Sequence, residues 1–172
     1  MSGAAHGEDH HLGFDTTVAH NARVWNYWLD GKDHFEADRV VGDQVASMFP
    51  LIADVARADR AFLGRVVHHL AGEAGIRQFL DIGTGLPTAE NTHQVAQRLA
   101  PQARVVYVDN DPLVLVHARA LLTSARPGTV NYVDADAHDP EAILRAASST
   151  LDFTRPVAIM LLGIMNFVLD TA

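Results

Sequence analysis

Residues 77–92 read Arg-Gln-Phe-Leu-Asp-Ile-Gly-Thr-Gly-Leu-Pro-Thr-Ala-Glu-Asn-Thr, and their reading decides the fold. Phe79, Leu80 and Ile82 make a short apolar run suited to a buried strand, with Asp81 set into it. The run breaks at Gly83-Thr84-Gly85 and passes into a helical pattern. Two glycines in such a turn let the backbone bend sharply and approach a ligand with no Cβ in the way. A helix that follows directs its unpaired N–H groups at whatever sits there. Downstream, Val105-Val106-Tyr107-Val108 reads as a second strand and ends in Asp109, 24 positions after Gly85. A doubly wound fold places a sugar-binding acid at about that distance, roughly 20 residues on.

Working outward, the pattern after Gly75 alternates. Strands are predicted at Gln78–Ile82, Arg104–Val108, Val130–Val133 and Val157–Leu162, with helices at Thr88–Leu99, Pro112–Thr123 and 140–147. Asp139 is a natural N-cap for the last of these, with Pro140 at the first helical position. Such alternation predicts an α/β fold, a Rossmann-like parallel sheet with helices on both faces. The chain before Gly75 is different. Helical patterns cover Asn21–Asp30, Arg39–Phe49 and Leu51–Ala71, and Asp33 with Glu36 has the spacing of a capping box. These residues predict an N-terminal helical cap over 16–75, after a polar tail at 1–15 and before a core at 76–172. His6, His10 and His11 in the tail lack the carboxylate–histidine frame of a metal site, so no metal is expected.

The 172 residues suffice for one domain with a proper core. Thirteen basic against 21 acidic residues give a net charge of −8, and Lys32 is the single lysine. No basic cluster offers a nucleic-acid backbone a landing place. Cysteine is absent, which excludes disulfides, thiolate metal sites and a cysteine nucleophile. No membrane segment is expected: the longest apolar stretch, Val157 to Leu169, is shorter than the ~20 residues of a spanning helix. With no signal-peptide pattern at the start, the expected setting is cytoplasmic.

In an open parallel sheet, ligands bind beyond the carboxyl ends of the strands. Those ends here are Asp81–Gly85, Asp109–Asp111, Asp134–Ala137 and Leu162–Asn166. A carboxylate such as Asp109 accepts hydrogen bonds without donating, which suits a ribose diol. Asp136 and the Ala137 N–H are placed to read an adenine edge, and Leu113 to wall the base. Each acid also has a structural reading: Asp109 as a helix cap, Asp136 as a turn residue among Asp134, Asp136 and Asp139. Trp25 and Trp28 read as packing on an amphipathic face. A dinucleotide such as NAD(P) would want a third glycine, but Gly83-Thr-Gly85-Leu-Pro-Thr88 has Thr there, and Pro87 removes an N–H. The turn therefore suits S-adenosyl-L-methionine, which carries no pyrophosphate.

Asp81-Ile-Gly-Thr-Gly-Leu-Pro-Thr88 resembles motif I of the class I, Rossmann-like, S-adenosylmethionine-dependent methyltransferases. The stretch from Asn21 to Arg39, with Gly31-Lys-Asp-His-Phe35 in it, resembles the N-terminal signature of an actinobacterial S-adenosyl methyltransferase family, formerly a domain of unknown function. The resemblance implies cofactor contacts from Asp81, Gly83 and Gly85, ribose contacts from Asp109 with Asn110 beside it, and adenine contacts from Asp136 and Ala137. It places Tyr27, Lys32, Asp33 and His34 in a signature expected to close over the cofactor or substrate, and His34 is the candidate base, since a neutral imidazole is available near pH 7. Members of that family continue for three more strands, whereas this sequence stops at Ala172. The expectation is thus an incomplete core with an open, apolar sheet edge that favours self-association into a homo-oligomer.

The resulting expectation is a methyltransferase acting on a small-molecule acceptor. The alternatives are a module or fragment that holds the cofactor without turnover, and an NAD(P)-dependent oxidoreductase.

Overall fold

The computed structural model describes residues 15–88, 90–122, 130–165 and 168. Three helices come first: α1 (Asn21–Trp28), α2 (Glu36–Met48) and α3 (Ile52–Gly72). Then follow β1 (Gln78–Ile82), α4 (Thr92–Leu99), β2 (Arg104–Asp109), α5 (Pro112–Leu122), β3 (Val130–Asp134), α6 (Pro140–Ala147) and β4 (Ala158–Met160). The strands are all parallel and lie in the order β3-β2-β1-β4. The order reverses beside β1, which is where such sheets open a crevice. No helix among the described residues is long and apolar enough to cross a membrane.

Both faces of the sheet are covered, which is why its strands read as near-continuous apolar runs rather than as alternation. Phe79, Val105, Tyr107, Val130 and Met160 form one face with Leu63, Val67 and Ala71 of α3 and with Val95 and Ala96 of α4. Leu80, Val106, Val108 and Val133 form the other, against Ile143 and Ala147 of α6. Burying a side chain such as Leu63 or Val67 contributes about 1.5–3 kcal/mol. Asp81 stands at an odd position like Phe79, so it belongs to the face covered by α3 and α4.

Three expectations change. First, α3 is part of the sheet's own packing, so the covering cap is built by α1 and α2. An amphipathic stripe says that one side of a helix is buried, but not whether a sheet or a helix buries it. Second, α4 starts at Thr92 rather than Thr88, because the chain first makes a loop in which Glu90 takes a positive φ of 66°. Third, the capping of α2 is done by Asp38, whose Oδ2 accepts from Phe35 N at 2.8 Å, and not by Asp33 with Glu36. Asp33 N instead donates to Asn26 Oδ1. Gly31 is required beside it, since a Cβ there would lie 2.3 Å from the Asn26 amide. The tail histidines, the turn at 126–128 and Asn166 lie outside the described residues.

Candidate functional site

The four strand tips converge on a cavity of about 250 Å³. Asp81 and Gly83–Gly85 line it from β1, Asp109 and Asn110 from β2, Asp136 and Ala137 from β3, and Leu162–Ile164 from beyond β4. Ala22, Trp25 and Asn26 of α1 and its C-cap Leu29 cover it, and Asp59, Arg60 and Leu63 of α3 close one end.

The glycine turn is tied to its neighbours. Gly83 N donates to Val108 O at 2.8 Å, and Gly85 N donates to Asp109 Oδ2 at 2.8 Å. Both glycines have positive φ, 71° and 64°, which side-chain-bearing residues rarely adopt. They differ in what stands where a Cβ would be. At Gly85 that space is open, whereas at Gly83 it is filled by the Ile164 side chain at 2.6 Å. So the close approach that Gly83 permits is used by the protein itself.

The acids have distinct surroundings. Burial pushes the Asp81 carboxyl up to about 6, although the Thr92 hydroxyl donates to its Oδ2 at 2.7 Å. Burial also raises Asp109, offset in part by the N–H groups of Asp111 and Gly85. Asp136 is exposed at the rim, and the His138 N–H, bonded to its Oδ1 at 2.8 Å, lowers it. Its Oδ2 faces Asn110 Nδ2 at 3.4 Å. Two amides at the start of α4, of its N-cap Asn91 and of His93, are occupied within the protein. Asn91 N donates to Gln94 Oε1 and His93 N to the Tyr107 hydroxyl. A pyrophosphate would find neither amide available.

Asp81, Gly83, Gly85, Asp109, Asn110, Asp136 and Ala137 thus meet on one cavity wall, as the strand-tip argument requires. Tyr27, Lys32 and His34 do not line the cavity. The Tyr27 hydroxyl donates to Asp43 Oδ1 of α2 at 2.8 Å, and its ring meets His34 edge to face at 5.1 Å. His34 Nδ1 lies 3.4 Å from Arg39 Nη1, and Lys32 is exposed. The second half of the signature stretch shapes the turn between α1 and α2, and the stretch reaches the cavity through its first half, Ala22, Trp25, Asn26 and Leu29. Leu113 is likewise absent from the cavity wall and packs with Leu86 and Val114.

His20, Asp59 and Arg60 line the cavity without having been marked in the sequence, and Trp25, which reads there as packing, lines it too. A signal existed for Arg60. The buried stripe of α3 runs Ala56, Leu63, Val67, Ala71, and Arg60 holds the position between the first two, where an apolar residue belongs.

The sequence model of the S-adenosyl methyltransferase family matches residues 7–172. The chain belongs to that family. It is 51% identical to a DUF574 family protein from Streptomyces avermitilis MA-4680, whose crystal structure it matches with a TM-score of 0.86 over 91% of this chain and 60% of that one. It is 48% identical to a candidate methyltransferase from Thermobifida fusca YX, again with a TM-score of 0.86, covering 91% of this chain and 59% of that one. The chain therefore spans about 60% of the length of these solved relatives. No curated protein matches it.

The donor set of the cavity fits the family's cofactor. Asp59, Asp81, Asp109 and Asp136 supply carboxylates, against one arginine, Arg60, among the described lining residues. A sulfonium with an ammonium group is attracted to that set, and a ribose diol finds acceptors in it. A pyrophosphate is repelled.

Proposed function

We propose that this chain binds S-adenosylmethionine at its strand tips and takes part in methyl transfer to a small-molecule acceptor. The observation that carries the reading is the acid-rich cavity beside a glycine turn, with the Asn91 and His93 amides at the start of α4 already bonded within the chain. Asp109, with Asn110 beside it, would hold the ribose, Asp136 and Ala137 the adenine, and Asp81 with the Gly83–Gly85 turn the remainder of the molecule. When bound, the cofactor supplies an electrophilic methyl group on a positively charged sulfur. The chain's own residues then have two tasks: to orient that methyl and to exclude water from it. Trp25 of α1, its C-cap Leu29 and Ile164 beyond β4 provide apolar cover for the second. His34 stands outside the cavity, so its service as a base would need the signature turn to move. The cysteine-free sequence suits a reducing, cytoplasmic setting.

Isothermal calorimetry with S-adenosylmethionine, S-adenosylhomocysteine and NAD tests the reading. Binding of the first two and not of NAD is expected. Heat with NAD alone would replace it by the oxidoreductase alternative. Transfer of a labelled methyl group to a panel of metabolites then separates an enzyme from a module that only holds the cofactor.

A further inference from the structure

We infer that Asp59 and Arg60 of α3 form the subsite for the α-amino-acid end of the cofactor, Arg60 receiving its carboxylate and Asp59, together with Asp81, its ammonium. This rests on the reading of the cavity as a S-adenosylmethionine site.

The first argument is one of position. Neighbouring strands lie about 4.8 Å apart, so the tips of β3, β2 and β1 mark out about 10 Å of cavity. Asp136 and Ala137 occupy the β3 end, and Asp109 with Asn110 the middle. An extended nucleoside with its base at β3 and its sugar at β2 must bring its tail to β1. There α3 closes the cavity, with Asp59 and Arg60 on the wall beside Asp81 and Thr88.

The second argument is one of chemistry. Arg60 lies on the stripe of α3 that carries the buried Ala56 and Leu63. Burial disfavours the charge of the guanidinium there, and Asp81 and Asp59 favour it. Its Nη2 donates to Asn91 Oδ1 at 2.9 Å, and the same oxygen accepts from Thr88 N at 3.2 Å. That contact fixes the guanidinium plane against the loop after the glycine turn. A planar fork held in this way suits a carboxylate. Beside it, burial raises Asp59 from its ordinary range, and an arriving ammonium would favour its ionised form. A zwitterion offers both groups their complement at once.

Calorimetry with three ligands tests this on the intact chain: S-adenosylhomocysteine, its analogue lacking the carboxylate, and 5′-methylthioadenosine, which lacks the whole amino-acid end. Arg60→Met is expected to weaken S-adenosylhomocysteine by about 10–100-fold, the range of a charge-assisted hydrogen bond, and to leave methylthioadenosine unchanged. The preference of the wild-type chain for the carboxylate-bearing ligand should vanish in that variant, and Arg60→Lys should restore part of it. Asp59→Asn should weaken both amine-bearing ligands and spare methylthioadenosine. Equal losses for S-adenosylhomocysteine and methylthioadenosine in Arg60→Met would show that Arg60 only braces Asn91, and would overturn the proposal. Unchanged affinity for S-adenosylhomocysteine would overturn it too. If the wild-type chain bound none of the three, the cofactor reading itself would fall; retained methylthioadenosine binding without tail discrimination would sink the subsite alone.

Discussion

Two groups of buried charges lie within a few residues of each other, and they are built on opposite plans. Where the cap meets the sheet, Arg23 Nε lies 3.6 Å from Asp38 Oδ1 and 3.7 Å from Asp111 Oδ2, and His20 Nδ1 lies 2.9 Å from the same Asp111 oxygen. Asp38 also accepts from His20 N and Phe35 N. With His20 protonated, two cations face two anions, and the group is electrically complete. Along the cavity, by contrast, Asp59 and Asp81 have Arg60 as the cation that acts on them, and Asp109 has, among the described residues, only the partly exposed His20. Burial raises all three carboxyls. Charges completed within the chain hold the cap in place, whereas the incomplete set is arranged to be completed by a cationic ligand.

The largest effect is expected from breaking the complete set. Arg23→Met leaves Asp38 and Asp111 buried without their guanidinium and should cost about 3–5 kcal/mol, read as a lower urea midpoint at unchanged slope. A loss below ~1 kcal/mol would mean that this cluster is no more constrained than a surface pair.

Asp81→Asn tests the incomplete set and should act in the opposite direction. With a folded pKa of about 6 against an ordinary 3.8, ionising Asp81 destabilises the ligand-free fold. The cost is absent below pH ~4, grows as pH rises, and is complete above about pH 6, where it reaches about 3 kcal/mol. The variant should therefore melt higher than the parent at pH 7.5 and alike at pH 3.5, while binding S-adenosylhomocysteine about tenfold more weakly. A variant less stable than its parent at pH 7.5 would break the contrast between the two groups.

His20 sharpens it. The hydrogen bond to Asp111, aided by the charges of Asp111 and Asp109 and opposed by Arg23, raises the imidazole above 6.5. Its stabilising contribution is therefore full below pH 6.5 and is lost as pH rises through the folded value. About a third of the side chain is exposed, so the size should be at most about 1 kcal/mol. A stability profile from pH 5.5 to 9 should lose that slope in His20→Gln. The smallest effect belongs to Lys32→Ala and His34→Ala. Neither residue lines the cavity, and S-adenosylhomocysteine affinity should be unchanged by calorimetry. A tenfold loss in either would show that the signature turn closes over the ligand.

The strand tips were legible because each obeys a local rule: an apolar run, a glycine break, and an acid where the strand ends. Asp81, Asp109 and Asp136 announce themselves in this way. Tyr27, Lys32 and His34 stood out as a pattern of unusual residues, yet a pattern does not say which face of a turn meets the ligand. Asp59 was invisible for another reason, and Arg60 was marked only by its place on the buried stripe. An acid–base pair within a long helix ordinarily reads as a solvated face, and only the packing of α3 on the sheet brings it against β1. The Thr at the third glycine position pointed away from a dinucleotide; the later start of α4 and the capping of its amides supply the physical reason.

The Ile164 side chain seated where Gly83 lacks a Cβ has a mechanical consequence. The turn that would cradle the cofactor and the segment beyond β4 are interlocked, so neither can shift without pushing the other. A methyl group added at Gly83 would lever the far wall outward as well as straining the turn. Tolerance at this glycine is therefore set by how far Ile164 can retreat, from a position in the chain about eighty residues away.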